Sequence, residues 1–537
     1  MADQNEGAKP APGSAVRAEP LAQGEDELWD DEHEAVELRE KAEALSNSKQ
    51  LDVHTWSDHP EANEFVDAIY KSVFEGRKAE IRKKHLKVVL LDLYVTWCED
   101  PKRFVSFSRN RNNYAAGSRY NELSISNLTI DVVDALVEAG LVEQVKGFKD
   151  RHTNTGRVSR IRPTDKLIAE FREARFGPLD IHSHEDRLTV ILRGGDGNDG
   201  PVENIEYVPD VETERMSAML AAYNDLLCRT FVDIPILEMP WIEAESEYGK
   251  TYRLAVSQRD KFVRRIFNRG SFGCGGRFYG GWWQRCPGDW RGHIFLDDEP
   301  TNEIDFSGLH IVMSYAERGI PYWEEVGDDP YTIPALDFLD DEEQSRAVAK
   351  SLLLVLLNAK NTKAAYTAFR HNAGSGTKEK RFTDEQLGQI HVALGDKHPR
   401  IADQFGADAG IRLMNRDSAI TEHILQAFTD HGVPSLTLHD SYIVPCGHED
   451  FLIEQMYAGF ENVMGIALPA KPGDALKEKL ERAEDLYGQL MSWMPYQDVP
   501  GQRDNEEAYM ARVRPIRTDR YQTSWVQFEA WREPGRG

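Results

Sequence analysis

Residues 302–316 read NEIDFSGLHIVMSYA and residues 435–445 read SLTLHDSYIVP. In the first stretch Ile304 and Phe306 alternate with Glu303 and Asp305 before an apolar run begins near Ser307. That pattern predicts a strand passing into a helix, with the Asp305 carboxylate leaving one face at the strand end. In the second, apolar residues flank His439, Asp440 and Ser441, which predicts a hairpin with the acid at its tip. Two aspartates on adjacent strand ends can share a pair of divalent ions. Hard Mg²⁺ prefers carboxylate oxygen, and two such ions can activate an attacking hydroxyl while neutralising a leaving phosphate.

Between the two stretches lies RAVAKSLLLVLLNAK, residues 346–360. Arg346, Lys350, Leu354 and Asn358 recur every fourth residue and so form one slowly drifting helical stripe. A forked guanidinium and an ammonium one turn apart suit a triphosphate, with Leu354 and Asn358 further along, where a base and sugar would lie. Upstream, GGRFYGGWWQRCP (residues 275–287) mixes glycines, aromatics and arginines. Tyr279, Trp282, Trp283 and Trp290, beside Arg277, Arg285 and Arg291, are able to stack bases and grip phosphate, or the paired tryptophans are core.

The order and spacing of these segments resemble the superfamily of family A DNA polymerases and phage-type single-subunit RNA polymerases. DFSGLH is similar to the palm segment that carries the first metal aspartate, 346–358 to the R-x3-K-x3-F-x3-Y fingers helix, and HDS to the second metal motif of the RNA enzymes. GGRFYGGWWQRCP is similar to template and primer elements of both relatives, and the mixture is closest in pattern to the transposon-virus polymerases of mobile elements. The resemblance covers roughly residues 265–465. It implies a right-hand palm-and-fingers core and template-directed nucleotidyl transfer from nucleoside triphosphates onto a DNA template and primer. Asp305, Asp440 and the Phe306 carbonyl would hold two Mg²⁺, with Mn²⁺ as a substitute. Arg346 and Lys350 would grip the triphosphate, Lys350 acting on the departing pyrophosphate. Arg277, Tyr279, Gln284, Arg285 and His439 would line template and primer. The sugar-contacting positions of the relatives fall on His310 and Asn358, and Ser441 replaces a third acid. The resemblance therefore implies a DNA polymerase, with a phage-type RNA polymerase or a catalytically silent DNA-binding replication or regulatory protein as alternatives.

Further out, the 537 residues allow two to four domains, and 40% hydrophobic with 29% charged residues describes a globular chain. The net charge of −27 by itself opposes nucleic-acid binding, but its distribution is uneven. Residues 1–50 carry 13 acids against 5 bases, and Trp323 to Glu343 nine acids and no base. Lys71–Arg119 (12 bases, 5 acids), Thr251–His293 (9, 2) and Arg346–Arg381 (8, 1) are basic. No apolar run reaches membrane-spanning length, the start lacks a secretion signal, and five scattered cysteines read as reduced thiols, so no membrane and a cytoplasmic location are expected. His182 and His184 read as loop residues rather than a metal pair. GSGTKEK lacks P-loop spacing, and no acidic triad for a proofreading exonuclease stands out before residue 250.

The fold class expected is α+β, a palm-and-fingers core preceded by a winged-helix-like domain. The divisions are a disordered acidic tail (1–50), the winged-helix-like domain (51–178), a connecting or thumb-like region (179–262), the core (263–470) and an uninterpreted region (471–537). The winged helix is read from VVLLDLYVTW and TIDVVDALVEAG as helices, the latter burying Val132, Val133, Leu136 and Val137, followed by a basic two-stranded ribbon. Asp131, Asp134 and Glu138, on the exposed face of the second helix, would repel DNA.

Overall fold

The computed structural model describes residues 44–74, 79–149, 156–195, 202–245, 251–468 and 517–533. The chain is mixed α+β. Most of the expected acidic tail, the ribbon turn at 150–155 and residues 469–516 lie outside the described residues. Residues 44–50 do not belong to a disordered tail. Lys49–Gln50 (β1) pairs in parallel with Val105–Phe107 (β2), and Lys49 is also tied to the fully buried Asp92 at 2.8 Å.

The N-terminal unit contains α1 (Pro60–Val73), α2 (Ala79–Glu99), α3 (Leu128–Glu138), β3 (Val142–Val145), β4 (Ser159–Pro163) and α4 (Asp165–Arg172). Its sheet runs β1-β2-β4-β3, with β4 antiparallel to both neighbours. Alternation in SRIRP buries Ser159, Ile161 and Pro163 and turns Arg160 and Arg162 outward. Val89 and Leu93 of α2 meet Val133 and Leu136 of α3 in one fully buried cluster, each such side chain stabilising by about 1.5–3 kcal/mol. Val137 lies at the rim, 36% exposed, because it falls about 100° round the helix from Leu136. The acids Asp131, Asp134 and Glu138 of α3 are exposed, and two of them have arginine partners. Arg109 donates to both Asp134 oxygens at 2.6 and 2.8 Å, and Arg111 stands 3.7 Å from Asp131.

The second sheet is built on Val190–Gly194 (β5), which pairs in parallel with Arg264–Asn268 (β6), itself antiparallel to Ser271–Tyr279 (β7). Residues before and after 262 thus share one sheet, so the expected division there is not a break in hydrogen bonding. Val211–Cys228 (α5), N-capped by Asp210, packs Met219, Leu220 and Tyr223 beneath it. Trp282 and Trp283 are fully buried in the same cluster, with Trp283 Nε1 donating to the Thr437 carbonyl at 3.1 Å. They are core, and the base-stacking reading of that pair is set aside because neither ring has an open face.

The third sheet positions the site. Its order is Val232–Asp233, Phe295–Leu296 (β8), Glu299–Asp305 (β9), Ser441–Pro445 (β11) and Leu436–Leu438 (β10), antiparallel throughout. Around it stand Leu309–Ala316 (α6), Glu342–Asn358 (α7), Thr362–Asn372 (α8), Asp384–Lys397 (α9), Gly410–Asp430 (α10) and Glu449–Met464 (α11). Their apolar faces form the largest buried cluster, including Val312, Leu352, Leu353, Ile420 and Ile424. Asp519–Arg532 (α12) returns to cover Phe231 with Tyr521 and Phe528.

No helix of the described residues is long and apolar enough to cross a membrane. None of the five cysteines, all among the described residues, forms a disulfide. His182 lies in a two-residue strand against Trp56, and His184 meets the Trp56 ring edge-on.

Candidate active site

Strand pairing brings the two predicted aspartates together. β9 and β11 run in register from Thr301 opposite Pro445 to Asp305 opposite Ser441, and the Phe306 N–H donates to the Asp440 carbonyl at 3.1 Å. Residues so paired sit about 4.5–5.5 Å apart. Ile304 is buried while Asp305 is exposed, as the alternation predicts. The β10–β11 hairpin turns through His439 and Asp440, and His439 takes φ +61°, a left-handed conformation that costs a non-glycine residue about 1–3 kcal/mol. Thr421 holds this turn by donating to the His439 carbonyl at 3.3 Å.

A third acid stands on the same face. Glu303, two residues before Asp305, accepts from the Ser441 hydroxyl at 2.9 Å and from Arg291 at 2.8 Å. Its signal was the i, i+2 spacing in NEIDF. Asp417, on α10, carries no sequence motif. It lies 1% exposed and accepts from Arg277 Nε at 2.8 Å and Nη2 at 2.6 Å. His310 Nε2 is 3.4 Å from Arg277 Nη2 and 4.0 Å from Asp417.

The electrostatics follow from these contacts. Burial raises the Asp440 carboxyl above its ordinary value, and the Asp417 charge adds to that, while Arg277 and His310 act against it. Burial also raises Asp417, opposed by Arg277. Burial and Arg277 push His310 down to about 4, so its imidazole is neutral near pH 7. His439 is lowered by burial and by Arg277, and its ring meets Tyr279 edge-on at 5.7 Å.

α7 forms because Asp341 caps it by accepting from the Gln344 N–H at 2.8 Å, and Glu342 and Glu343 favour its positive end. Its inner face buries Val348, Ala349, Leu352, Leu353, Leu356 and Leu357. Arg346 and Lys350 are exposed on the other side, 5.5 and 5.6 Å from the ring centre of Tyr331. Tyr331 ties this stripe to the aspartates. Burial, Asp329 and Asp440 push its phenol up to about 12, with Arg346 opposing, and its hydroxyl lies 3.7 Å from where a Cβ on Gly308 would stand.

The remaining expected residues separate. Leu354 is half-buried on the stripe, and the Asn358 amide folds back onto the Leu354 carbonyl at 2.7 Å. Gln284 donates to the Phe278 and Thr437 carbonyls at 3.1 and 3.0 Å and accepts from the Gly280 N–H at 3.0 Å. Its amide braces β7 against the β10–β11 hairpin, and both donors are committed. Arg285 is exposed and paired with Asp260.

The donors at the strand ends fit a hard divalent cation. Two carboxylates and the Phe306 carbonyl supply oxygen alone, the donor type that hard divalent cations prefer. Among the described residues no three His, Cys, Asp or Glu side chains gather as a ready metal cage, so the site rests on two side chains and one carbonyl. No protein-family model matches the chain, and no curated protein matches it.

Proposed function

We propose that this chain is a template-directed nucleotidyltransferase, a DNA polymerase related to family A, with a palm-and-fingers core behind a winged-helix-like unit. The observation that carries the reading is the pairing of Asp305 against Ser441, with Asp440 adjacent and Arg346 and Lys350 over the ring of Tyr331, whose phenol the Asp440 charge reaches. The N-terminal reading is supported by α3 followed by the antiparallel β3–β4 ribbon.

Asp305, Asp440 and the Phe306 carbonyl would hold two Mg²⁺, and the chemistry supplied there would be charge neutralisation at the reacting phosphate and a more acidic attacking hydroxyl. Arg346 and Lys350 grip the triphosphate and stabilise the departing pyrophosphate as the primer 3′-hydroxyl attacks the α-phosphate in line. Leu354 lies beside the base, and His310 and Asn358 toward the sugar. Tyr279, Arg277 and His439 face the primer terminus, and Asp417 positions Arg277.

Asp305→Ala and Asp440→Ala each abolish primer extension while leaving DNA binding within a few-fold of wild type. Near-normal incorporation by either variant refutes the metal assignment. The His439-Asp440-Ser441 turn favours a second reading, a phage-type RNA polymerase. Primer extension with four dNTPs and four NTPs in parallel separates the two, and DNA binding with no incorporation of either returns the chain to a silent DNA-binding protein.

A further inference from the structure

The acidic run Trp323–Glu343 has no part in the reaction above, yet it lies against basic residues of the helical layer. Asp328 meets Lys397 at 2.9 Å, Asp340 meets Lys378 at 2.7 Å, and Asp329 meets Arg346 at 2.7 Å. The last contact falls on the triphosphate stripe. Asp329 Oδ2 accepts from Arg346 Nη2 at 2.7 Å and Nε at 3.2 Å, while Oδ1 accepts the Tyr331 N–H at 2.9 Å. The carboxylate is thus held by its own turn on the guanidinium edge that a phosphate oxygen would use. Tyr331, 6% exposed, anchors that turn in the core, with Arg346 and Lys350 over its ring. The Arg346 side chain remains 49% exposed and open to a ligand.

We propose that Asp329 is a built-in competitor for Arg346, neutralising it and weakening every anion that must displace it, so that only a ligand able to engage a second cation, as a polyphosphate does, binds well. A monophosphate exchanges one anion for another at Arg346 and gains little. A polyphosphate reaches Arg346 and Lys350, one helical turn or about 6 Å apart, and offsets the lost Asp329 contact with the second cation. The inference rests on reading the stripe as a triphosphate site.

The test is calorimetric titration of full-length protein with inorganic phosphate and with tripolyphosphate. Asp329→Asn removes the charge and keeps an acceptor for the Tyr331 N–H. It is expected to tighten tripolyphosphate about threefold to fivefold, the range of an exposed ion pair. It should tighten phosphate by no larger a factor, because either ligand recovers at most the one displaced Asp329 contact. In an Arg346→Ala background the same substitution should change nothing. Unchanged or weakened binding in Asp329→Asn, an equal gain in the Arg346→Ala background, or no tripolyphosphate binding by either protein overturns the inference. Polyphosphate binding in the expected pattern without any primer extension refutes nucleotidyl transfer and leaves the role of Asp329 standing. Primer extension with an inert Asp329→Asn does the reverse.

Discussion

Asp417 shows how much at the residue scale depends on a group without a motif. It is buried, it holds both nitrogens that Arg277 directs at it, and its charge reaches Asp440, Tyr442 and His439. Asp417→Asn keeps the shape and removes the charge, leaving Arg277 with a weaker partner beside Asp440. Displacing a reacting-site group by about an ångström costs on the order of a hundredfold in rate. Single-turnover primer extension by Asp417→Asn should therefore fall about tenfold to a hundredfold, and extension at the wild-type rate would remove Asp417 from the site. The placement of Asp305, Asp440, Arg346 and Lys350 on strand end, hairpin tip and helix face was legible because each sits in a short, patterned segment. Asp417 was not, because an acid on an amphipathic helix is ordinarily a solvated one, and only the packing of α10 against β7 turns it inward.

At the scale of elements, the passage from β9 into α6 decides the geometry. Gly308 takes φ +63° there, and a Cβ would meet Pro330 Cγ at 3.0 Å. Gly308→Ala thus costs about 1–2 kcal/mol in backbone strain and also presses on the Pro330–Tyr331 segment, whose tyrosine ring lies under Arg346 and Lys350 of α7. Gly319 is the control: it has φ +70° with open space around its Cβ position. Both alanine variants should lose comparable stability in urea denaturation, but only Gly308→Ala should raise the nucleotide KM severalfold. Equal KM values in the two would separate the turn from nucleotide binding. The strands and helices themselves followed from alternation and 3.6-residue periodicity, since burial of one face imposes those periods on the sequence. Strand partners did not follow, because pairing joins residues such as Asp305 and Ser441 that lie far apart along the chain.

Across the whole molecule, buried charge ties the N-terminal unit to the body. Arg259 stands 3.3 Å from Asp92 and 3.5 Å from Asp52, and Arg187 is 3.8 Å from Asp52. Burial alone would raise the Asp52 carboxyl, but Arg187, Arg259 and His54 outweigh it and hold it well below the ordinary carboxylate range. Because the folded value is depressed, this contribution to stability is present above the unfolded carboxyl value of about 4 and is lost as pH falls below it. Arg259→Ala leaves Asp92, fully buried, short of a partner. It should lower the unfolding free energy by about 3–5 kcal/mol near pH 7. Denaturant titrations at pH 7 and pH 3 should also show a smaller acid-induced loss in the variant than in wild type, and equal losses would show that the network is not what acid breaks. At the opposite end of the chain, Arg517 and Tyr521 grip Asp298, and Arg532 grips Asp297, in the turn that feeds β9. Residues 517–533 therefore support the strand that ends at Asp305, a role that their composition did not reveal.

The sequence by itself determined the α+β class, the strand ending at Asp305, the acid at the hairpin tip and the spacing of the cationic stripe, because each is a local pattern written within about fifteen residues. Only the tertiary structure decided that Trp282 and Trp283 are core, that Gln284 is a brace, that Asp417 accepts from Arg277 and Glu303 from Ser441, and that Asp329 sits on Arg346. Those outcomes depend on which distant segments meet, and burial and charge pairing across such contacts leave no period in the chain to be read.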